Sequence, residues 1–140
     1  MIVPAPAATL PIAPPTRPVV LLVEDDDPVR ELIARALRAN GFEVLAAASG
    51  EEALDLEIGR HVDLLLSDGM PNQNGFETAH QIHARSPHIP ILFMSDYYDQ
   101  AVAEAAHLDI SSTVLQKPFA MADLLEHLRA AHAASRPVEP

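Results

Sequence analysis

The sequence predicts an α/β fold in which helices cover both faces of a doubly wound, five-stranded parallel sheet. Short apolar segments alternate five times with amphipathic segments of helical period. A strand followed by a helix, repeated in this way, is typical of a parallel sheet with crossover helices. The apolar segments are continuous runs, as expected of strands that are buried on both faces. The length of 140 residues is that of one domain.

The first strand and helix have clear signals. The run VVLLVE (Val19–Glu24) predicts a buried strand. Asp27 then supplies a helix N-cap and Pro28 the first helical position. Apolar residues spaced along one helical face follow, and Asn40 with Gly41 ends the helix. The residues of that apolar face are Val29, Leu32, Ile33, Ala36 and Leu37.

The second and third strands follow the same pattern. FEVLAA (42–47) predicts the second strand. Ser49 and Glu52 form a capping-box signature, which predicts a helix over roughly 50–59. VDLLLS (62–67) predicts the third strand, which runs directly into a carboxylate.

Three helices and two strands complete the chain. The third helix is expected over Gly75–Arg85, with Phe76, Ala79 and Ile82 facing inward. PILFM (90–94) predicts the fourth strand, an alanine-rich helix follows near 99–107, and TVLQ (113–116) predicts the fifth strand. A final amphipathic helix is marked by Met121, Leu124, Leu125 and Leu128.

The folded domain is predicted to span residues 18–134. Residues 1–17 are rich in proline and alanine, and proline at this density disfavours helix and central strand, so we expect disorder there. Residues 135–140 are expected to form a flexible end. The chain lacks the basic start and unbroken apolar run of a secretory signal, and its aliphatic runs are too short to span a bilayer. We therefore expect a cytoplasmic protein with no membrane insertion.

Composition excludes several kinds of function. The chain has no cysteine, which rules out disulfides, thiolate metal sites and cysteine nucleophiles. With 9 Lys+Arg against 20 Asp+Glu, the net charge is −11. This charge disfavours direct binding to DNA, to RNA or to an anionic membrane. It suits a bound cation or a partner with a basic surface.

Polar groups follow four of the predicted strands, at the edge where a parallel sheet forms its sites. The first strand delivers the acidic run Glu24–Asp27, the third Asp68, the fourth Ser95 and the fifth Lys117. Each has an ordinary alternative, since acids oppose a helix dipole, an aspartate forms turns and a lysine is usually solvated. Their joint occurrence at carboxyl ends, in this order, favours one shared site.

The chemistry of these groups favours phosphoryl transfer. Carboxylates held close together repel one another unless a cation lies between them, and ligands that are all oxygen indicate Mg²⁺ or a similar hard ion. Asp68 is the candidate nucleophile and would form an acyl phosphate. Mg²⁺ and the Lys117 ammonium would neutralise the phosphoryl oxygens, and the Ser95 hydroxyl would hydrogen-bond one of them.

In these motifs the chain resembles the receiver domains of response regulators in two-component signalling, the family that includes the chemotaxis response regulator. The resemblance covers about residues 18–134 and rests on LLVEDDDPVR, DLLLSDGMPNQNGFE, ILFMS and LQKPF, in family order and at near-family spacing. It implies a flavodoxin-like fold with strand order 2-1-3-4-5. It also implies a histidine kinase or histidine phosphotransfer protein as the phosphoryl donor, and a downstream protein as the target.

The resemblance also assigns a role to each site residue. Glu24 and Asp25 correspond to the acid pair that holds Mg²⁺, Asp68 to the phosphoacceptor, Ser95 to the switch hydroxyl and Lys117 to the family's lysine. The peptide bond after this lysine is expected to be cis. The implied protein is a phosphoacceptor and not an enzyme for a separate substrate. With no DNA-binding or catalytic region after residue 134, we expect it to stand alone and to signal through protein contacts, and a homodimer stays open.

One departure from the family concerns the phosphoacceptor itself. The family places Met-Pro three and four residues after the acceptor, whereas Met70 and Pro71 come two and three residues after Asp68. Counting back from Met-Pro selects Ser67, and counting along the strand selects Asp68. A one-residue shift in a strand sends every side chain to the opposite face, whereas a loop absorbs a deletion, so Asp68 is favoured. The metal-binding carbonyl is then that of Met70, or of Gly69 if the loop aligns otherwise.

Two further departures concern switching. Asp96 replaces the small residue that usually follows the hydroxyl. It would be either a fourth carboxylate at the site or a helix N-cap in solvent. Val114 replaces the aromatic residue that usually rotates inward, and Tyr97 or Tyr98 would have to supply a substitute readout.

Two alternative functions stay open. The departures are compatible with a degenerate receiver that keeps the fold and binds partners without phosphorylation. A phosphatase similar to haloacid dehalogenases would use Asp25 and Asp27, but Val29 replaces its usual threonine and its later acidic motif is missing. His80 and His83 have a spacing seen in metal sites, but no third ligand is evident.

Overall fold

In the computed structural model, which describes residues 17–69, 75–108 and 112–135, five strands alternate with five helices. The strands are β1 (Val19–Val23), β2 (Glu43–Ala47), β3 (Leu64–Asp68), β4 (Ile91–Ser95) and β5 (Ser112–Gln116). The helices are α1 (Asp27–Ala39), α2 (Gly50–Glu57), α3 (Gly75–Arg85), α4 (Tyr98–His107) and α5 (Met121–Ser135). The predicted succession of strand and helix is confirmed.

The sheet is parallel throughout, with the strand order β2-β1-β3-β4-β5. This order confirms the predicted doubly wound fold. The chain winds first to one side of β1 and then to the other, so β1 and β3 meet at the switch point where such sheets form their sites. The register pairs Val23 with Ser67 and Asp68 with Met94. It therefore places the residues after β1 beside the last residue of β3.

Two apolar clusters hold helices against opposite faces of the sheet. Successive side chains of a strand point to opposite faces. Leu22, Leu64 and Leu66 pack under α1 and α5, whereas Leu21 and Leu65 pack under α2, α3 and α4. All five leucines are fully buried. The continuous apolar runs of the sequence therefore reflect burial on both faces.

The local signals around α2 and at the end of α1 act as predicted. Ser49 Oγ accepts the N–H of Glu52 at 3.1 Å, and Glu52 Oε1 accepts the N–H of Ala48 at 2.7 Å. The first bond satisfies an N–H group that the start of a helix leaves without a partner, and the second holds the residue before the N-cap against the first turn. Helix α1 ends at its C-cap Asn40, and Gly41 follows with a φ of 95°, a conformation that favours glycine.

The start of α1 differs from the prediction by one residue. The N-cap is Asp26 and not Asp27, because the Asp26 side chain accepts the N–H of Val29 at 3.0 Å. Asp27 is the first helical residue, and its carboxylate pairs with Arg30 at 2.6 Å. Both aspartates are good N-cap residues, so the sequence alone did not distinguish between them.

Several predictions fall on residues that the structure does not describe. The tail (1–17) lies outside it except for Arg17, and the flexible end (135–140) except for Ser135. Met70 and Pro71 lie outside it as well. Among the helices of the described part of the chain, none has the length and apolar character needed to cross a membrane.

Replacing Leu66 by Ala should destabilise the domain by about 2–5 kcal/mol, the usual cost of truncating a buried leucine. Leu66 lies in the central strand β3 with none of its surface exposed. Leu32→Ala is the matched control. Leu32 was expected on the buried face of α1, but it is 66% exposed because Ile33 and Leu37 face the sheet.

Denaturant unfolding measures both variants. The Leu32→Ala control should change the free energy of unfolding by about 0.5 kcal/mol or less, as surface substitutions usually do. Equal losses in the two variants would contradict this description of the core.

Candidate functional site

Three carboxylates meet at the carboxyl edge of the sheet. Glu24 and Asp25 directly follow β1, and Asp68 is the last residue of β3. One oxygen from each lies within 4.8 Å of the others. The parallel register of β1 and β3 produces this convergence, because it brings both strand ends to one edge. Within the described ranges, no other group of three acidic or histidine side chains meets this distance criterion.

The turn that carries Glu24 and Asp25 is fixed by local hydrogen bonds. Arg30 donates to the backbone carbonyl of Glu24 at 2.9 Å and to Asp27 Oδ1 at 2.6 Å. Glu24 Oε2 accepts the N–H of Asp26 at 3.2 Å. Arg30 therefore joins the end of β1 to the first turn of α1. Arg30 is the last residue of the motif LLVEDDDPVR, but the sequence assigned it no role, because its contacts depend on the geometry of the turn.

Lys117 supplies the positive charge of the site. It follows β5, and its Nζ lies 3.3 Å from Asp68 Oδ1 and 3.7 Å from Glu24 Oε1. Its backbone N–H donates to the carbonyl of Ser95 at 2.8 Å, which ties the end of β5 to the end of β4. The peptide bond between Lys117 and Pro118 is cis, as predicted.

Glu24 is the most deeply buried acid of the site. It is only 2% exposed, and among the described residues its Oε1 has no hydrogen-bond partner. Lys117 at 3.7 Å is too distant for a hydrogen bond. Burial first, and then the charge of Asp68, raise the pKa of the Glu24 carboxyl. Buried polar atoms normally have partners, so this oxygen fits the ligand of a cation.

The oxygen-only set fits a hard divalent cation such as Mg²⁺. Carboxylates are the ligands that Mg²⁺ prefers, and no nitrogen or sulfur ligand lies in this group of three. Glu24 offers a buried oxygen and Asp25 an exposed one. The residues that are present therefore suit the ion that the acidic cluster predicts.

Burial and charge also govern Asp68 and Lys117. Burial raises the pKa of Asp68, the ammonium of Lys117 opposes this, and the charges of Asp25 and Asp96 add to it, so that the pKa is raised. Burial alone would lower the pKa of Lys117, but the carboxylates of Asp68 and Glu24 outweigh it and raise that pKa. Lys117 therefore stays charged at neutral pH. Its single positive charge is smaller than the summed negative charge of the three carboxylates when these are ionised.

Ser67 and Asp68 point to opposite faces of β3. Ser67 is fully buried, and its Oγ lies 3.5 Å from the carbonyl oxygen of Asp68. Asp68 is 9% exposed and lines a cavity together with Lys117. Gly75, the first residue of α3, covers Ser67. A Cβ there would lie 3.0 Å from Ser67 Oγ and would collide with the carbonyl oxygen of Asp68.

The Ser95 hydroxyl lies at the end of β4 and is bound to the backbone at the start of α4. Ser95 is fully buried and its Oγ accepts the N–H of Tyr97 at 2.9 Å. Within the described ranges, this hydroxyl makes no hydrogen bond with Asp68 or with Lys117. Asp96 is exposed and lines the same cavity as Asp68. The N-cap of α4 is Tyr97, without a side-chain cap bond, so the alternative in which Asp96 caps the helix is wrong.

An open cavity of about 590 Å³ adjoins the site. The acids and Lys117 lie at one end of it, and the rest of its wall is largely apolar. That wall is formed by Val29, Leu32, Ile33, Phe119 and Met121. The sequence pattern did not predict it, because α1 and the segment after β5 are distant in sequence and meet only in the fold.

Comparison with known proteins gives a consistent result. A family model described as the response regulator receiver domain matches residues 20–129. The sensor kinase CckA of Brucella abortus (strain 2308) is 40% identical over 108 residues, which cover 75% of this chain and 11% of that protein. The response regulator MprA of Mycobacterium sp. (strain KMS) is 36% identical over 122 residues, which cover 86% of this chain and 53% of that protein. The chain thus spans about half of one relative and much less of the other.

A solved structure is similar over nearly the whole described fold. It is the non-phosphorylated HemR receiver domain from Leptospira biflexa, with a TM-score of 0.76 and 28% sequence identity. The alignment covers 88% of this chain and 100% of that one.

Asp68→Asn should raise the stability of the metal-free domain at neutral pH. The pKa of Asp68 is raised by folding, so the folded state binds this proton more tightly than the unfolded chain. Stability therefore falls as pH rises through the folded pKa. At neutral pH the carboxylate is charged and destabilising, and asparagine removes that charge. Lys117 keeps Glu24 as a partner at 3.7 Å in the variant.

Urea unfolding in the presence of EDTA measures this effect. The advantage of the variant should shrink as pH is lowered, because the wild-type carboxylate then becomes protonated. Asp55→Asn, at an exposed position of α2, is the control and should leave the midpoint unchanged. A lower stability of Asp68→Asn at neutral pH would show that the ion pair outweighs burial.

Proposed function

The chain belongs to the response regulator receiver domain family, and from this premise we propose that Asp68 accepts a phosphoryl group in a Mg²⁺-dependent reaction. Receiver domains are signalling phosphoacceptors. The observation that carries the proposal is the 3.3 Å contact of Lys117 Nζ with Asp68 Oδ1, beside two further carboxylates. An acid cluster and a fixed ammonium around one reachable carboxylate are the parts that phosphoryl transfer requires. The donor is a phosphohistidine of a histidine kinase or histidine phosphotransfer protein.

Asp68 acts as the nucleophile in this proposal. One carboxylate oxygen bonds to phosphorus while the nitrogen–phosphorus bond of the donor breaks, and the donor imidazole keeps that electron pair. The product is an acyl phosphate on Asp68. Lys117 first pairs with the carboxylate and then follows the negative charge onto the phosphoryl oxygens, which a point charge on a flexible stem permits.

The carboxylates of Glu24, Asp25 and Asp68 would hold the Mg²⁺ ion. When bound, the ion supplies positive charge to the phosphoryl oxygens. Arg30 supports this group by holding the backbone of Glu24. A backbone carbonyl after Asp68 would complete the ligand set. Met70, the first candidate, lies outside the described residues. Gly69, the second candidate, is held in place because its N–H donates a hydrogen bond of 2.7 Å to the carbonyl of Met94 in β4.

The signal would leave the site through Ser95 and Lys117. The 2.8 Å backbone bond between them couples the two loops, so that movement of one is transmitted to the other. Val114 packs in the cluster beneath α4 and has no ring to rotate. Tyr97 and Tyr98, which are 47% and 42% exposed at the start of α4, are the proposed readout surface.

Output is proposed to occur through contact with a downstream protein. The net charge of −11 favours a partner with a basic surface, because complementary charge speeds association. The proposed signalling unit is residues 18–134, and its proposed location is the cytoplasm.

Acetyl phosphate with Mg²⁺ should add one phosphoryl group to the protein, seen as a gain in intact mass. Hydroxylamine should remove the gain, because it cleaves acyl phosphates and spares phosphoserine. Asp68→Asn should abolish labelling, whereas the control Ser67→Ala should retain it, since Ser67 is buried on the other face of β3. A gain that survives hydroxylamine and is lost in Ser67→Ala would move the acceptor to Ser67. The absence of any gain in the wild type would favour a degenerate receiver.

Asp25→Asn should lower the rate of Mg²⁺-dependent labelling at least about tenfold, since loss of even an indirect metal contact has that effect. Asp25 is exposed, so circular dichroism should show an unchanged fold. Glu31→Gln, an exposed acid on α1 outside the cluster, is the control and should label normally. Normal labelling of Asp25→Asn would remove Asp25 from the metal ligands.

A further inference from the structure

Two histidines converge on one aspartate at the amino edge of the sheet, opposite the acidic site. His61 and Asp63 precede β3, and His132 lies in the last turn of α5. Asp63 Oδ1 lies 2.8 Å from His61 Nε2 and 3.9 Å from His132 Nε2. The function proposed above uses none of these three side chains.

Hydrogen bonds to β1 orient the side chain of Asp63. Its Oδ2 accepts the N–H of Val19 at 2.8 Å, and its own N–H donates to the carbonyl of Val19 at 2.9 Å. The side chain is 19% exposed. Oδ1 is therefore left to face the imidazoles. A carboxylate whose second oxygen accepts a hydrogen bond is typical of metal ligands, because that bond orients the first oxygen.

From this juxtaposition we propose a second cation site, in which His61 Nε2, His132 Nε2 and Asp63 Oδ1 bind a divalent transition-metal ion such as Zn²⁺. Two imidazoles and one carboxylate are an established ligand set for Zn²⁺, with water in the remaining position. Mg²⁺ prefers oxygen ligands, so the two sites differ in the ion that they select.

One movement of a side chain is needed to close the site. With bonds of about 2.1 Å in tetrahedral geometry, ligand atoms lie about 3.4 Å apart. The two observed distances to Asp63 Oδ1 lie on either side of that value. In the described part of the chain, only the acidic site has all three ligand atoms within 4.8 Å, so the two imidazole nitrogens must approach each other. His61 is 76% exposed and lies outside helix and strand, which leaves it free to rotate toward His132.

The surrounding charges limit the affinity. Arg17, Arg60 and Glu43 line a cavity together with His61. The two arginines repel a metal ion and only Glu43 attracts it, so the net effect of these neighbours is unfavourable. We therefore expect weaker binding than at a closed four-ligand zinc site. A bound ion would join the end of α5 to the starts of β1 and β3.

Competition with a chromophoric zinc chelator tests the site in the untagged full chain. An excess of Mg²⁺ is present to compete with Zn²⁺ at the acidic cluster. We expect one equivalent of Zn²⁺ to bind, and His61→Ala and His132→Ala each to weaken binding at least about tenfold. The double variant His80→Ala and His83→Ala, which removes the histidine pair of α3, is the matched control and should bind as the wild type does.

A second measurement separates this site from the acidic cluster. In an Asp25→Asn background, Zn²⁺ should still perturb the imidazole NMR signals of His61 and His132 before those of the other histidines. Three results would overturn the proposal: no stoichiometric zinc binding, binding that survives both single variants, or binding lost in the α3 control. The first result would leave these three side chains as an ion pair only.

Discussion

The contact between Lys117 and Asp68 is the interaction on which the carboxyl edge of the sheet depends. The fold brings three carboxylates within 4.8 Å of one another, and burial makes the charge of Glu24 costly. The ammonium of Lys117, at 3.3 Å from Asp68 and 3.7 Å from Glu24, partly neutralises these two carboxylates. Charges interact strongly where water is partly excluded, so three acids with one ammonium keep an excess of negative charge until a cation binds beside them.

The rest of the fold prevents the site from relieving this repulsion. Asp68 ends a strand that is paired on both sides and covered on both faces, so its backbone has little room to retreat. Arg30 holds the carbonyl of Glu24, and the carbonyl of Ser95 holds the backbone of Lys117. The two apolar clusters supply the stability that offsets the unfavourable charge arrangement. A locally destabilising arrangement of this kind is expected at a site that binds a ligand or performs chemistry.

The parts of this structure that were predictable are those encoded by neighbouring residues. The apolar runs predicted the strands, and the end of the third run predicted that Asp68 lies at the carboxyl end of β3. The N-cap of α1 is Asp26 and not the predicted Asp27, because the two aspartates are equally good N-cap residues and the sequence does not distinguish between them. The bond from the Tyr97 N–H to the Ser95 hydroxyl was not predictable, because it depends on how α4 begins. Contacts between distant elements, including the two histidines around one aspartate, follow no local period and were not predicted.

The position of Gly75 tolerates no side chain, and this limits which sequence changes the carboxyl edge of the sheet can accept. Because it touches the carbonyl oxygen of Asp68, the chain comes back to the point that it left when β3 ended. The contact is made by Asp68 and Gly75 themselves, which are both among the described residues. Loops are where insertions and deletions accumulate among homologues. A side chain at position 75 would collide with the carbonyl oxygen of Asp68, so this position requires glycine, whereas a change in the number of residues between positions 68 and 75 leaves that requirement unaltered.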